Sequence, residues 1–203
     1  MPVGHLRGMR SLLAWLALLA ATPALADHAL LQELRGGGHV IFLRHTETGP
    51  AWPDQRQALL GDCDTQRDLN AAGRADARAI GQAIAELGIP VDAVLASPYC
   101  RAMETAVLAF GQAQPEWALN LPSDTLSPMA HAVMGFELRR LLAARPPGAG
   151  NLVLVGHSYH VAAAFGPLPE PQGAAVVIGP AGARAMIGPH DWPRLAVTKA
   201  KSG

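Results

Sequence analysis

Two arginines and two histidines carry the chemistry this chain can support. They fall in three short islands, Leu43-Arg44-His45-Thr46, Ser97-Pro98-Tyr99-Cys100-Arg101 and Val155-Gly156-His157. A neutral imidazole can attack phosphorus to give a phosphohistidine that water later hydrolyses, dividing one hard step into two. His45 is the expected nucleophile, because it stands at the end of the run that reads as the most buried strand. Arg44 and Arg101 offer planar, permanently charged donors to the equatorial oxygens of a phosphate dianion. His157 offers a further hydrogen bond, and a helix starting near Tyr99 adds backbone N–H groups. Positioning and electrostatics then supply most of the rate, and no metal or other cofactor is required.

Each island follows an apolar run of the kind buried on both faces of a sheet, at 39–43, 91–96 and 151–155. Gly36-Gly37-Gly38 closes a short amphipathic segment before the first run. From 46 to 68 the chain is polar and carries Gly49, Pro50, Pro53 and Gly61, a loop of a length that usually serves function. Asn70 is a good N-cap. The helix after it repeats Ala75, Ala79, Ile80, Ala83, Ile84 and Leu87, turns Arg74, Asp76, Arg78 and Gln82 to water, and stops at Gly88 and Pro90.

A second helix is expected over 99–110. A looser, Pro-rich stretch runs to Pro128. Ala132, Val133, Phe136, Leu138, Leu141 and Leu142 mark a third helix ending at Pro146-Pro147-Gly148. Segments 174–178 and 183–187 read as closing strands joined by a Gly-Pro turn, and the weakly patterned tail after Pro189 is expected to fray. Strands alternating with helices imply an α/β fold, a three-layer sandwich with a mainly parallel central sheet flanked by helices. Ligands bind beyond the carboxyl ends of such strands. All three islands begin there.

The first 26 residues read as a cleaved signal peptide rather than as fold. Arg7 and Arg10 precede an apolar stretch at 11–19, and Ala24-Leu25-Ala26 fits the cleavage rule. A membrane anchor is the alternative, but the run is short for about 30 Å of hydrocarbon. The protein is therefore expected in the periplasm or secreted, with no stable membrane span after cleavage. Removing 26 of the 203 residues leaves one domain, 27–203, of 177 residues. It also removes two of the 16 basic residues, leaving 14 against 16 acidic. That balance offers no field for nucleic acid. Cys63 and Cys100 are an even pair for an oxidising compartment, so a disulfide is expected, with two buried free thiols as the alternative. Bridged, they would stiffen the phosphate pocket.

Taken together, these motifs resemble the histidine phosphatase superfamily, the phosphoglycerate mutase-like group that also holds acid phosphatases. Leu43-Arg44-His45-Thr46-Glu47-Thr48 is similar to the signature that carries the nucleophile. Leu69-Asn70-Ala71-Ala72-Gly73 is similar to the start of the next helix. Ser97-Pro98-Tyr99-Cys100-Arg101-Ala102-Met103-Glu104-Thr105-Ala106 resembles the second phosphate-binding signature, and Val155-Gly156-His157 the strand with the second histidine. The resemblance implies His45 as nucleophile, with Arg44, Arg101 and His157 completing the pocket and Thr48 as a further substrate contact. It also points to the small exported bacterial branch, acting on a small phosphorylated substrate such as a lipopolysaccharide-core or other envelope sugar phosphate.

Two positions depart from the pattern. Thr46 stands where the family has glycine, and a β-branched residue resists positive φ. No general acid stands out: Ser158 occupies the position after the second histidine where some members place Asp. Glu170, Asp62, Asp64 and Asp124 are the candidates, followed by Glu47 and His160. An activated leaving group, such as an acyl phosphate, a phosphoramidate or a sugar 1-phosphate, would need little protonation.

Three other readings compete. Gly156-His157-Ser158-Tyr159-His160 resembles a nucleophile elbow, which would make Ser158 a serine-esterase nucleophile. That reading leaves Arg44, His45 and Arg101 unexplained, and the remaining His190-Asp191 pair runs in the wrong order. His157 and His160, with His39, His131 and His190 elsewhere, raise a zinc site, but without ligand spacing. A pocket that binds phosphoglycans or phosphate without turnover is the third.

Overall fold

The computed structural model describes residues 23–50, 58–125, 127–143, 150–166, 171–179 and 182–202. Arg7, Arg10, the apolar stretch 11–19, Pro53, Pro146-Pro147-Gly148, Glu170 and the Gly-Pro connection at 180 lie outside those residues. The elements run α1 (Pro23–Gly36), β1 (Val40–Arg44), a 3-10 turn (Cys63–Thr65), α2 (Ala71–Glu86), β2 (Val91–Ala96), α3 (Cys100–Phe110) and β3 (Gln114–Pro115). A second 3-10 turn (Trp117–Leu119), α4 (Pro128–Ala143), β4 (Asn151–Gly156), α5 (Ser158–Phe165), β5 (Ala175–Gly179), β6 (Gly182–Ile187) and α6 (Asp191–Ser202) follow. α1 runs through position 26, where the sequence places the cleavage.

One six-stranded sheet has the order β3-β2-β4-β1-β5-β6. The first four strands in that order are parallel, and β5 and β6 are antiparallel additions. The sheet is therefore mixed, parallel through the part that holds the three islands. One face is covered by α1, α2, α3 and α6 around Leu34, Ile41, Leu43, Ile80, Val153, Val155 and Trp192. The opposite face is covered by α4, α5 and the 117–119 turn around Phe42, Leu119, Leu138, Leu154 and Val161. β1 alternates its side chains between these two cores, which is why its whole apolar run is buried.

Four expectations are corrected. β2 is not buried throughout: Asp92 and Ala93 are exposed, because only the two-residue β3 protects that side of the sheet. In α2, Ala75 is exposed, and the buried stripe is Gly73, Ala77, Ile80, Gly81, Ala83 and Ile84. A Cβ on Gly81 would collide with the Ala109 carbonyl oxygen, so α3 fixes which stripe faces inward. In α4, Val133 and Phe136 are 51% and 60% exposed, while Met134, Gly135, Leu138 and Leu141 are buried. The tail beyond 189 is helix α6, anchored by fully buried Trp192 and opened by Asp191, whose carboxylate accepts from Gly188 N.

Cys63 and Cys100 form a disulfide that closes a 37-residue separation. Loop-closure entropy makes such a bridge worth about 4 kcal/mol.

Candidate active site

β2, β4 and β1 are adjacent and parallel, so their carboxyl ends share one edge. Their register pairs Arg44 with Gly156 and Ala96 with Val155. The chain leaves each strand at the next residue, giving His45, Ser97 and His157. The ladder holds these exits, since His45 N donates to Gly156 O at 3.0 Å and Ser97 N to Val155 O at 2.9 Å.

His45 is 3% exposed. Its Nδ1 lies 2.9 Å from the Thr46 carbonyl. A carbonyl only accepts, so Nδ1 carries the proton and Nε2 keeps its lone pair. Burial above all, then the Arg101 guanidinium, pushes the His45 pKa down to about 3; Arg44 and Arg67 add to the push, and the Thr46 carbonyl opposes it. The imidazole is therefore neutral at physiological pH.

His157 is likewise buried, with Nε2 2.9 Å from Ser97 Oγ and Nδ1 3.4 Å from Arg101 Nη2. A guanidinium only donates, so Nδ1 is the acceptor here and Nε2–H donates to Ser97. Burial, then Arg101, holds the His157 pKa well below its ordinary value. The His45 and His157 rings meet edge to face at 5.4 Å, and Tyr99 packs edge-on to His157 at 5.5 Å. Arg101, 3% exposed, stacks 4.6 Å above the Tyr99 ring. Burial and Arg67 lower its pKa to about 10, which leaves it charged at neutral pH. Arg44 is half-buried and adjoins His45 in sequence. His45, His157 and Arg101 thus pack together, and Arg44 and Arg101 both act on the His45 ring.

Thr46 fits without strain, because no non-glycine residue among the described ones has positive φ. Its N donates to Thr105 Oγ1 at 3.1 Å, and the two threonine hydroxyls are 3.2 Å apart. Thr105 in turn donates to the Arg101 carbonyl at 2.7 Å, so this pair ties the segment that carries His45 to the helix that carries Arg101. Thr48 is buried with its polar atoms engaged: its N donates to Gln172 Oε1 and its Oγ1 accepts from Gln172 Nε2, both at 3.1 Å.

Comparison with known proteins matches residues 40–120, which include Arg44, His45 and Arg101, to the histidine phosphatase superfamily (branch 1). Over that segment the chain is similar to the histidine phosphatase superfamily. Over 74 residues it is 39% identical to the mitochondrial serine/threonine-protein phosphatase Pgam5 of Drosophila virilis, a match covering 36% of this chain. The chain spans only 22% of the length of that curated relative. Among solved structures it is similar to TTHB049 from Thermus thermophilus, at 23% identity and a TM-score of 0.51 over 74% of this chain and 99% of that one. It is also similar to a mutant phosphoserine phosphatase from Entamoeba histolytica in complex with phosphoserine, at 16% identity and a TM-score of 0.56 over 75% and 98%. These two likenesses show the three-layer fold.

The three-layer fold places the remaining candidates as follows. Asp62 and Asp64 are exposed in the 3-10 turn, where the Asp62 carboxylate accepts from Asp64 N. Glu47 is exposed and accepts from Asn70 Nδ2. Asp124 lines a cavity of about 700 Å³ between the 117–119 turn and α4, which contains none of His45, Arg44, Arg101 and His157. His160 is buried behind His157, with ring centres 6.1 Å apart. Burial pushes its pKa down to about 4; the carbonyls of His157, Asn120 and Ala118 oppose that shift, yet neither ring nitrogen closes a good hydrogen bond. Ser158 opens α5 on one face of the sheet, whereas His190 and Asp191 stand at the start of α6 on the other. Among the described residues no three His, Cys, Asp or Glu side chains gather closely enough to hold a metal ion.

Four contributors escape sequence reading: Ser97 as partner of His157, Tyr99 as the plate between Arg101 and His157, Thr105 as the tie to Thr46, and Gln172 as the brace of Thr48. Ser97, Tyr99 and Thr105 lie inside the second island's signature, so their neighbourhood is visible in the sequence but their partners are not.

Proposed function

We propose that this chain is a phosphatase that hydrolyses a phosphomonoester through a phosphohistidine at His45. The observation that supports this best is the His45 Nδ1–H donated to the Thr46 carbonyl, which leaves a neutral Nε2 lone pair beside Arg101 and Arg44. In the first step Nε2 bonds to phosphorus, the ester P–O bond breaks, and the leaving oxygen takes a proton from solvent water. In the second, water adds to phosphorus, the P–N bond breaks, and inorganic phosphate leaves with His45 neutral again. Arg44 and Arg101 hold the equatorial oxygens throughout.

His157 reaches its working state through Ser97. The Ser97 hydroxyl can donate as well as accept. Once Arg101 turns to the phosphate, Ser97 donates to Nε2, and Nδ1–H becomes available to the phosphoryl group. Asp62 and Asp64 are exposed, which favours a substrate with a good leaving group.

The finer reading is an exported enzyme acting on envelope sugar phosphates, with 1–26 removed as a leader. It rests on Arg7, Arg10, the apolar stretch 11–19 and Ala24-Leu25-Ala26. Protein recovered from the periplasm would begin at Asp27; an intact N-terminus in the cytoplasm would refute export.

Turnover of p-nitrophenyl phosphate by the wild-type chain and His45→Ala tests the chemistry. Loss of phosphate release with an unchanged melting curve is expected. Turnover retained in His45→Ala removes the proposed nucleophile, and tight phosphate binding by an inactive wild-type chain would identify a binding protein instead.

A further inference from the structure

We propose that Arg67 is a third guanidinium of the phosphate pocket, held over it by a loop that Gln66 and the Cys63–Cys100 bridge staple to the start of α3. The proposal rests on the phosphate-pocket reading above and adds a substrate-binding residue to it. Arg67 sits between two ties to the two halves of the pocket. On one side Gln66, 3% exposed, accepts through Oε1 from Cys100 N at 2.9 Å, and Cys100 precedes Arg101. Its Nε2 donates to Leu59 O at 2.9 Å, and Cys63 is bonded to Cys100, so the whole turn is fastened to α3. On the other side Asp68 O accepts from Gly49 N at 3.0 Å and Leu69 bridges to Thr48, in the segment that leaves the nucleophile. The backbone at 67 therefore spans the gap between His45's loop and Arg101's helix.

The Arg67 side chain is half-buried, and among the described residues no carboxylate, carbonyl or hydroxyl pairs with it. Other arginines here are committed: Arg35 to Leu87 O, Arg74 to Glu104, Arg140 to Glu137. A partly buried guanidinium with no partner among the described residues is well placed to take an anionic ligand. The Arg67 charge also registers on both His45 and Arg101. Arg101, Arg44 and Arg67 all act on the neutral His45 imidazole, and three such cations match a dianionic oxyanion, which favours phosphomonoesters over monoanionic diesters.

The test is the competitive inhibition constant of inorganic phosphate against p-nitrophenyl phosphate, measured on the full chain. Arg67→Gln is expected to weaken phosphate about tenfold or more, to raise KM more than it lowers kcat, and to leave the melting temperature unchanged. Arg67→Lys should recover most of the loss, and it remains readable should the glutamine variant fold poorly. Arg101→Gln serves as the control. If Arg101→Gln weakens phosphate and Arg67→Gln does not, Arg67 is not in the pocket although the pocket stands. If neither variant matters, the phosphate pocket itself is wrong. Reducing the bridge should weaken phosphate in the wild type with no further effect in Arg67→Gln; an equal effect in both would overturn the role given to the staple.

Discussion

Arg101 does two jobs at the residue scale. It is the second-largest influence holding His45 neutral, after burial, and it faces His157 and Tyr99 at once. Arg101→Gln should therefore lower kcat/KM by about 10²–10³, as loss of one oxyanion donor does. It should also raise the His45 pKa, because a charge that disfavours imidazolium is gone. Protonated His45 cannot attack, so the acid limb of the pH–rate profile moves to higher pH. A profile that falls in height without moving would show that Arg101 binds substrate but does not tune the nucleophile. That His45, His157 and Arg101 come together at one sheet edge is legible in sequence, since the segments carrying them leave apolar runs. Ser97 as the partner of His157 is not, because a hydroxyl–imidazole pair 60 positions apart leaves no mark in spacing.

At the scale of elements, the segment that follows His45 is held by the start of α2. Asn70 caps that helix by accepting from Gly73 N at 2.7 Å, and its own N donates to Glu47 O at 3.1 Å. A Cβ on Gly73 would collide with the Glu47 carbonyl oxygen, so only glycine lets helix and loop approach this closely. Gly73→Ala is expected to cost about 1–3 kcal/mol and to reduce turnover, read by urea unfolding and p-nitrophenyl phosphate assay. Unchanged stability would mean that the loop yields freely. The helices themselves are readable in sequence, but their inward faces are not. Gly73, Gly81 and Gly135 choose those faces by allowing close approach to Glu47, Ala109 and Ala163, and a glycine adds nothing to an apolar pattern. α6 escapes the pattern for a related reason. One fully buried residue, Trp192, anchors it, and Asp191 and Pro193 in its first turn are the signals that mark it.

Across the whole molecule, burial of three neighbouring histidines couples stability to pH. His45, His157 and His160 are all neutral when folded, with pKa values below the ordinary one. The unfolded chain takes up their protons below about pH 6.5, where the folded chain does not. Stability is thus full above that pH and is lost as pH falls toward about 4 and 3, the folded values for His160 and His45. Between pH 7 and pH 5 the loss should be about 2 kcal/mol each for His45 and His160, with His157 adding in the same direction. Urea midpoints across that range check it; a flat profile would mean that all three rings take up protons as readily in the folded protein as in the unfolded chain. The sheet's parallel centre is legible from strand–helix alternation, which fixes connectivity. The proton balance is not, because burial depth depends on both covering layers.

The central claim is that His45 carries the phosphoryl group between substrate and water. Rapid acid-free quenching during turnover of an aryl phosphate, followed by intact-mass and peptide analysis, tests it most directly. One acid-labile, base-stable phosphoryl group mapped to His45, and absent from His45→Ala, is the predicted result. Continued turnover with no phosphorylated histidine, or with the group on Ser158, would contradict it.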